Sequence, residues 1–368
     1  MLGYPSCSAN LCREEFVDPE KGNERLRRII RNLVNVAIPL DPGAFRLFLA
    51  MLVFVHHFSG FALGSFAVYV FFQLSGFWVQ RMWTSRYVGT NQPYATYLIS
   101  RLWRLAPNML LVSALAVPVL LIIGVPSDQL FSSGFSQLII STSFLVGYAW
   151  LNYLPVGSAW SLDVEMQFYL IAPILIAALV RFGIWRPLLL SGLITICFSQ
   201  FSLPPTLPKY LVFFIIGAIA AHINWRPSNR MAKLSAGLVV VIVIGIFNSP
   251  VRDILIGGAS PGPNHFLNPE FNALLAVLAV PYAIYTTSRS SDSDDRMLAD
   301  LSYIIYLLHW VAMQWFFTIS GSFLHRLPSA ALCFVIVPLV ALGIWRWFDF
   351  PLNKARGRWV NKRQVQKD

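Results

Sequence analysis

The sequence predicts an all-α integral membrane protein, a bundle of about ten transmembrane helices with both termini cytoplasmic. Three observations carry that expectation: scarce charge, a series of apolar runs of membrane-crossing length, and a lopsided placement of basic residues between them. Of the 368 residues, 56% are hydrophobic and only 12% charged, about half the charged share of a soluble domain. Most of the chain therefore has no water-facing surface to form. The net charge of +11 is dispersed along the chain rather than gathered on one domain, so it reads as a topology signal and not as a nucleic-acid footprint.

Residues 1–44 form a predicted cytoplasmic tail. Arg13, Glu14, Glu15, Asp18, Glu20 and Lys21 interrupt it and no central apolar run follows, unlike a cleavable signal. Within it, Asn23 to Val36 places Leu26, Ile29, Ile30, Leu33 and Val34 on one helical face with arginines opposite, the pattern of an interfacial helix. Residues 45–350 hold the predicted membrane domain. Its apolar runs lie near 45–63, 67–83, 108–125, 160–180, 187–203, 209–224, 234–249, 271–288, 301–320 and 330–349, each close to the roughly 20 residues a helix needs to cross the hydrocarbon layer. A shorter stretch at 138–151 fits a re-entrant or surface segment better than a span. Residues 351–368 form a basic cytoplasmic tail.

Orientation follows from the connections. Taken on alternate sides, they put 24 of the 28 Lys and Arg on the side of both termini and only Lys209, Arg252 and Arg326 on the other, with Arg46 at the mouth of the first span. Short cytoplasmic loops retain positive charge, so both ends are expected inside. Ser290 to Asp295 (SSDSDD) reads as a solvated linker, since it lacks the Gly and closing Glu of a calcium loop. Cys7, Cys12, Cys197 and Cys333 form no C-x-x-C pair and have no His at zinc spacing, so no metal site is expected.

Chemistry is sought where polar groups lie inside spans, because burying them in hydrocarbon is costly. In FRLFLAMLVFVHHFSG, Arg46 and His57 are almost three turns apart and share a face about 16 Å long; His56 points about 100° away, as a histidine bonded to a neighbouring helix would. In AWSLDVEMQFYLIAP, Glu165 is expected about 8 Å below the outer boundary, at a depth near His57, with Trp160 and Tyr169 as supporting groups and Asp163 nearer the surface. A histidine and a carboxylate at one depth are the parts of a general base and its orienting partner. In SRLWRLAPNM, Arg101 and Arg104 stand one turn apart, as a phosphate clamp or as positive-inside anchors. Ser75 and Gly76 in FFQLSGFWVQ suit close helix packing or a bend, and Ser75 sits in no nucleophile elbow. LSYIIYLLHW aligns Tyr303, Tyr306 and His309 in one polar seam.

Taken in order, the Arg46–His57 pair, FFQLSGF, RLWRLAP, WSLDVEMQFYLIAP, the FFIIG of Phe213 to Gly217, and LSYIIYLLH resemble the acyltransferase type 3 family of integral membrane proteins, over about Arg46 to Pro351. The resemblance implies a ten-helix bundle that moves an acyl group, most often acetyl, from coenzyme A in the cytoplasm to a carbohydrate hydroxyl at or beyond the outer face. By motif it makes His57 the base or transient acyl carrier and Glu165 the family's glutamate. Arg46, Arg101 and Arg104 become contacts for acetyl-CoA. Asp349-Phe350-Pro351 departs from the usual Glu-x-Pro, which leaves that acid without an assigned role. No appended hydrolase-like domain is expected, so the chain completes transfer itself or with a separate partner. The short form resembles enzymes of the bacterial inner membrane that O-acetylate exopolysaccharides, O-antigen sugars or rhizobial nodulation factors, the last being lipochitooligosaccharides. Trp150, Tyr153 and Trp160 suit either sugar contact or an interfacial aromatic belt. A carrier or flippase for lipid-linked saccharides, with His57 and Glu165 as a proton relay, is the alternative from another class, and it has no inverted repeat behind it. A structural scaffold would leave the buried His and Glu without a purpose.

Overall fold

A computed structural model describes residues 41–59, 61–126, 155–201, 203–256, 267–321 and 323–364. The interfacial helix expected at Asn23 to Val36, the segment 138–151, and Cys7, Cys12, Trp150 and Tyr153 lie outside them. Among the described residues the secondary structure is helical, with one isolated bridge between Thr90 and Gln364. The helices are α1 (Pro42–Phe58), α2 (Gly64–Met82), α3 (Pro93–Ile122), α4 (Trp160–Phe182), α5 (Trp185–Ser199), α6 (Leu211–His222), α7 (Asn229–Phe247), α8 (Asn268–Leu278), α9 (Val280–Thr287), α10 (Ser293–Thr318), α11 (Phe323–Ile344) and α12 (Phe350–Asn361).

Among the described residues, four helical stretches are long and apolar enough to cross a membrane: Pro93–Ile122, Gly157–Phe182, Asn229–Phe247 and His325–Asn361. A fifth appears if α8 and α9, bent by 48° at their junction, are taken as one; α1, α5 and Leu207–His222 are apolar but shorter. The outward faces are those of a membrane protein. On α7, Leu234, Leu238, Val241 and Ile244 are exposed while Ala232 and Ser235 are buried, and α5 exposes Leu189, Leu190, Leu193 and Ile196 while burying Ser191. Large apolar side chains outside and small ones inside reverse the order that water imposes.

Helix ends within the bundle draw their partners from distant helices. The N-terminal turn of α1 has no capping side chain of its own. Its Gly43 and Ala44 N–H groups instead donate to Asp295 Oδ1 at 2.8 and 3.0 Å. Asp295 Oδ2 accepts from Ser291 Oγ at 2.6 Å, Asp292 Oδ1 caps α10 by accepting from the Asp295 N–H at 2.9 Å, and Arg289 pairs with Asp41 at 3.0 Å. Ser290 to Ser293 are exposed, as expected of a solvated linker, but Asp295 at its end is buried. The segment's carboxylates are placed where the positive ends of α1 and α10 need them. The start of α2 is met in the same way, Phe66 N–H donating to Asn272 Oδ1 of α8 at 2.9 Å, and at the α8–α9 bend Ser235 Oγ donates to the Leu278 carbonyl at 2.6 Å.

α1 and α10 run parallel and in contact, with Gly43 against Asp295 at one end and His57 against His309 at the other. α2 lies along α6. A Cβ on Gly76 would stand 2.0 Å from the Phe214 carbonyl oxygen, and one on Gly217 1.8 Å from that of Gln73. Close packing is therefore the role of Gly76, and only glycine allows it. Tyr69 stacks on Phe213 and Phe72 on Phe214 beside this contact.

Two expected boundaries shift. The RLWRLAP stretch lies inside α3, which continues through Pro107 and Pro118, so the arginines are helical rather than in a connection. Residues 351–361 of the basic tail continue α11 through the π-turn Trp345–Asp349 into α12. His325–Asn361 spans about 55 Å at 1.5 Å per residue, longer than the roughly 30 Å hydrocarbon layer, and its basic end packs on the first turns of α3. Gly217→Ala is expected to push α2 from α6 and cost about 1–3 kcal/mol, and Asp295→Ala about 1–2 kcal/mol by uncapping α1. Thermal unfolding in detergent reads both, and an unchanged midpoint for either refutes the corresponding contact.

Candidate active site

α1, α2, α3, α4 and α10 enclose a cavity of about 220 Å³. Of the side chains singled out in the sequence, Arg46, Ser75, Arg101, Arg104, Glu165, Tyr169 and Tyr303 line it; His57, His309 and Trp160 do not. Three guanidiniums and one carboxylate thus share a small, half-enclosed space, which favours an anionic ligand.

Each charge has a definite setting. Glu165 accepts from Ser75 Oγ at 2.7 Å and from the Tyr169 hydroxyl, both on its Oε1. Tyr169 follows Glu165 by one turn, so the helix period supplies that donor. Arg104 pairs with Asp300 of α10 at 3.8 Å, both side chains about a quarter exposed. Arg101 is buried. Its Nη2 donates to Met82 Sδ at 3.1 Å and to the Tyr87 hydroxyl at 3.3 Å, and its guanidinium lies 5.6 to 5.7 Å from the rings of Tyr87, Tyr97 and Tyr169. The ring faces supply the negative potential that a carboxylate would otherwise provide. Arg46 feels Arg104, Glu165 and Asp300 together.

Glu165 lines the cavity with Arg46, and His57 does not, because α4 starts deep in the bundle. Val156, Ser158 and Ala159 before it are buried, and a Cβ on Gly157 would stand 2.3 Å from the Trp310 ring. Ser158 accepts from the Tyr306 hydroxyl at 2.9 Å through its carbonyl, and its own hydroxyl donates to the Tyr306 carbonyl at 3.2 Å. Starting halfway along α10, α4 carries Glu165 to the Arg46 end. For the same reason Asp163 is fully buried rather than near the surface.

His57 instead belongs to a cluster at the other end of α1. Its ring stacks on His309 at 5.2 Å and stands edge-on to His56 at 4.8 Å and to Trp310 at 5.6 Å. His56 Nδ1 lies 3.4 Å from the Phe61 carbonyl oxygen. His309 is fully buried, and neither ring nitrogen has a hydrogen-bond partner of good geometry among the described residues. Among those residues no group of three His, Cys, Asp or Glu is arranged to hold a metal. Tyr306 joins the two regions. Its ring lines the cavity and stands 5.7 Å from His309, while its hydroxyl bonds Ser161 Oγ at 2.8 Å.

Trp160 sits against Tyr210 and Phe72, in the aromatic layer between α2 and α6. The Tyr303 hydroxyl donates to the Leu105 carbonyl at 2.9 Å and ties α10 to α3. Asp349 takes a structural place, accepting from Asn108 on one oxygen and from Asn353 at 2.8 Å on the other. Tyr87, Tyr97 and Asp300 were not singled out. The i, i+3 step from Asp300 to Tyr303 is the signal that points to the last.

The acyltransferase 3 family model, an acyltransferase domain, matches residues 41–346. The chain belongs to that family. It is therefore a membrane acyltransferase, and the matched segment contains every residue that lines the cavity. No curated protein and no solved structure matches the chain.

Tyr169→Phe removes a donor from Glu165 and is expected to lower acyl transfer about tenfold or more, the worth of a hydrogen bond to a charged group. Tyr97→Phe removes a buried hydroxyl that has no hydrogen-bond partner among the described residues and is expected to leave rate and stability nearly unchanged. Rates measured side by side in proteoliposomes test the pair, and equal losses in both would remove the special standing of Glu165.

Proposed function

We propose that this acyltransferase moves an acetyl group from acetyl-CoA to a carbohydrate hydroxyl of a bacterial surface polysaccharide or a secreted lipochitooligosaccharide, the nodulation-factor class. The observation that carries the reading is the convergence of Arg46, Arg101 and Arg104 on one cavity with Glu165. At about 220 Å³ the space is below the roughly 300–1,000 Å³ of drug-sized sites, so it suits part of the donor's arm, with the nucleotide outside and the thioester reaching on towards His57. The protein in this reading is a ten-span resident of the bacterial inner membrane with both termini in the cytoplasm, as the distribution of Lys and Arg supports.

The acceptor oxygen attacks the thioester carbonyl carbon, forming the new C–O bond as the C–S bond breaks. His57 takes the hydroxyl proton and returns it to the departing thiolate sulfur. His309, stacked on His57, positions its ring. Arg46, about 16 Å along α1 from His57, contacts the donor together with Arg101, Glu165 lies in the same cavity, and Arg104 contacts donor phosphate.

His57→Ala and Glu165→Gln, inserted at normal levels, are each expected to lose about 100-fold or more of the acetylation rate. Arg104→Ala is expected to lose activity that excess acetyl-CoA restores. Full acetylation by either of the first two variants would overturn the mechanism. Mass spectrometry of surface polysaccharide, lipopolysaccharide and secreted oligosaccharide, with and without the gene, identifies the acceptor by the loss of one acetyl mass per modified sugar. Unchanged masses overturn the reading.

A further inference from the structure

We propose that Arg356, on the C-terminal helix beyond the family-matched segment, forms with Arg86 and Arg101 a second anion site, which binds the nucleotide phosphates of the acyl donor. The inference rests on the acyl-CoA reading above and places the part of the donor that the cavity is too small to hold.

The observation is a cluster of guanidiniums whose bonds among the described residues are to neutral groups. Arg356 Nη1 donates to Ser100 Oγ at 3.2 Å and its Nε to Asn353 Oδ1 at 3.3 Å. Arg86 Nη2 donates to Asn361 Oδ1 at 3.0 Å. Arg101 has Tyr87 and Met82, and its buried Nε has no hydrogen-bond partner among the described residues. Arg356 stands in the electrostatic field of Arg86, Arg101 and Arg104 at once. The nearby carboxylates are already engaged: Asp300 with Arg104, Asp349 with two amides, and Glu165 with Ser75 and Tyr169. Like charges assembled from α12, from the turn after α2 and from α3 repel each other. A ligand with several phosphate oxygens relieves that repulsion and supplies the paired acceptors that guanidinium forks match.

Continuity with the cavity makes the donor the occupant. Ser100 Oγ, which accepts from Arg356, is also 2.9 Å from the Tyr87 hydroxyl, and that hydroxyl accepts from Arg101. Arg101 lines the cavity. One chain of hydrogen bonds therefore runs from the C-terminal helix to the cavity wall. A phosphate lipid headgroup offers the same chemistry, and the two sources part under test.

Binding of labelled CoA to the purified full chain in nanodiscs of neutral lipid is the measurement. Arg356→Gln is expected to weaken CoA binding about ten- to hundredfold, Arg356→Lys less, and the binding of pantetheine, which lacks the phosphates, is expected to be equal in wild type and variants. CoA affinity unchanged in Arg356→Gln overturns the inference while leaving the donor reading intact. Failure of the wild type to bind CoA overturns the donor reading itself. If Arg356→Gln loses only stabilisation by anionic lipid and keeps its CoA affinity, the site is a headgroup site and the inference is wrong. Arg86→Gln reports on the same cluster if Arg356→Gln does not purify: weakened CoA binding supports the inference and wild-type affinity overturns it.

Discussion

A helix that ends away from water leaves backbone N–H and C=O groups with nothing to bond, and every arrangement in this protein depends on how those groups are met. α1 is the sharpest case. Its first turn borrows both oxygens' worth of order from Asp295, one oxygen bonding the α1 amides and the other a serine that leads into α10. That clamp sets the parallel register of α1 and α10. The register in turn places Arg46 near Asp300 and His57 on His309. Asn272 at the start of α2 and Ser235 at the α8–α9 bend do the same work elsewhere. Polar side chains inside the bundle thus serve first as partners of broken helices, and only a subset remains to face the cavity.

Against this background the cavity is a local departure from the rule that buried charges are neutralised by opposite charges. Arg101 is held by three tyrosine rings and a hydroxyl rather than by a carboxylate. Such a setting keeps the guanidinium fixed while leaving its charge free to attract an anion, whereas a buried ion pair would cancel it. Arg104, by contrast, has Asp300 to hold it and is partly exposed. Neighbouring arginines on one helix therefore differ in kind, one caged and one tethered. A close glycine contact between α2 and α6 keeps Ser75 and its Glu165 bond in place beside them.

Much of this was legible in the sequence. The apolar runs all fall on helix, and the spacing of Arg101 and Arg104 with Arg46 singled out three residues that share a cavity. Other features were hidden for physical reasons. Asp295 looks solvated because a charge run normally is, yet it is buried and its partners Gly43 and Ala44 lie on α1, some 250 residues earlier in the chain. The depth of Glu165 was counted along α4 from a membrane surface, whereas the helix begins inside the bundle beside Trp310 and Tyr306 and brings Glu165 to the cavity that Arg46 lines. Arg356 was read as one of many basic residues in a tail, since nothing in its local sequence reveals that α11 continues into a helix that folds against α3.

The cap that Asp295 supplies to α1 also has a consequence in time. Gly43 and Asp295 are 252 residues apart, and a chain grows at about 5–20 residues per second. The first helix is therefore made on the order of 10–50 s before the carboxylate that completes it. Through that interval its leading amides must stay with water at the membrane surface, and Arg46 and His57 wait without α10. The earliest of the described helices is among the last to reach its final surroundings, so biogenesis depends on keeping a half-finished segment at the bilayer edge until the later ones arrive.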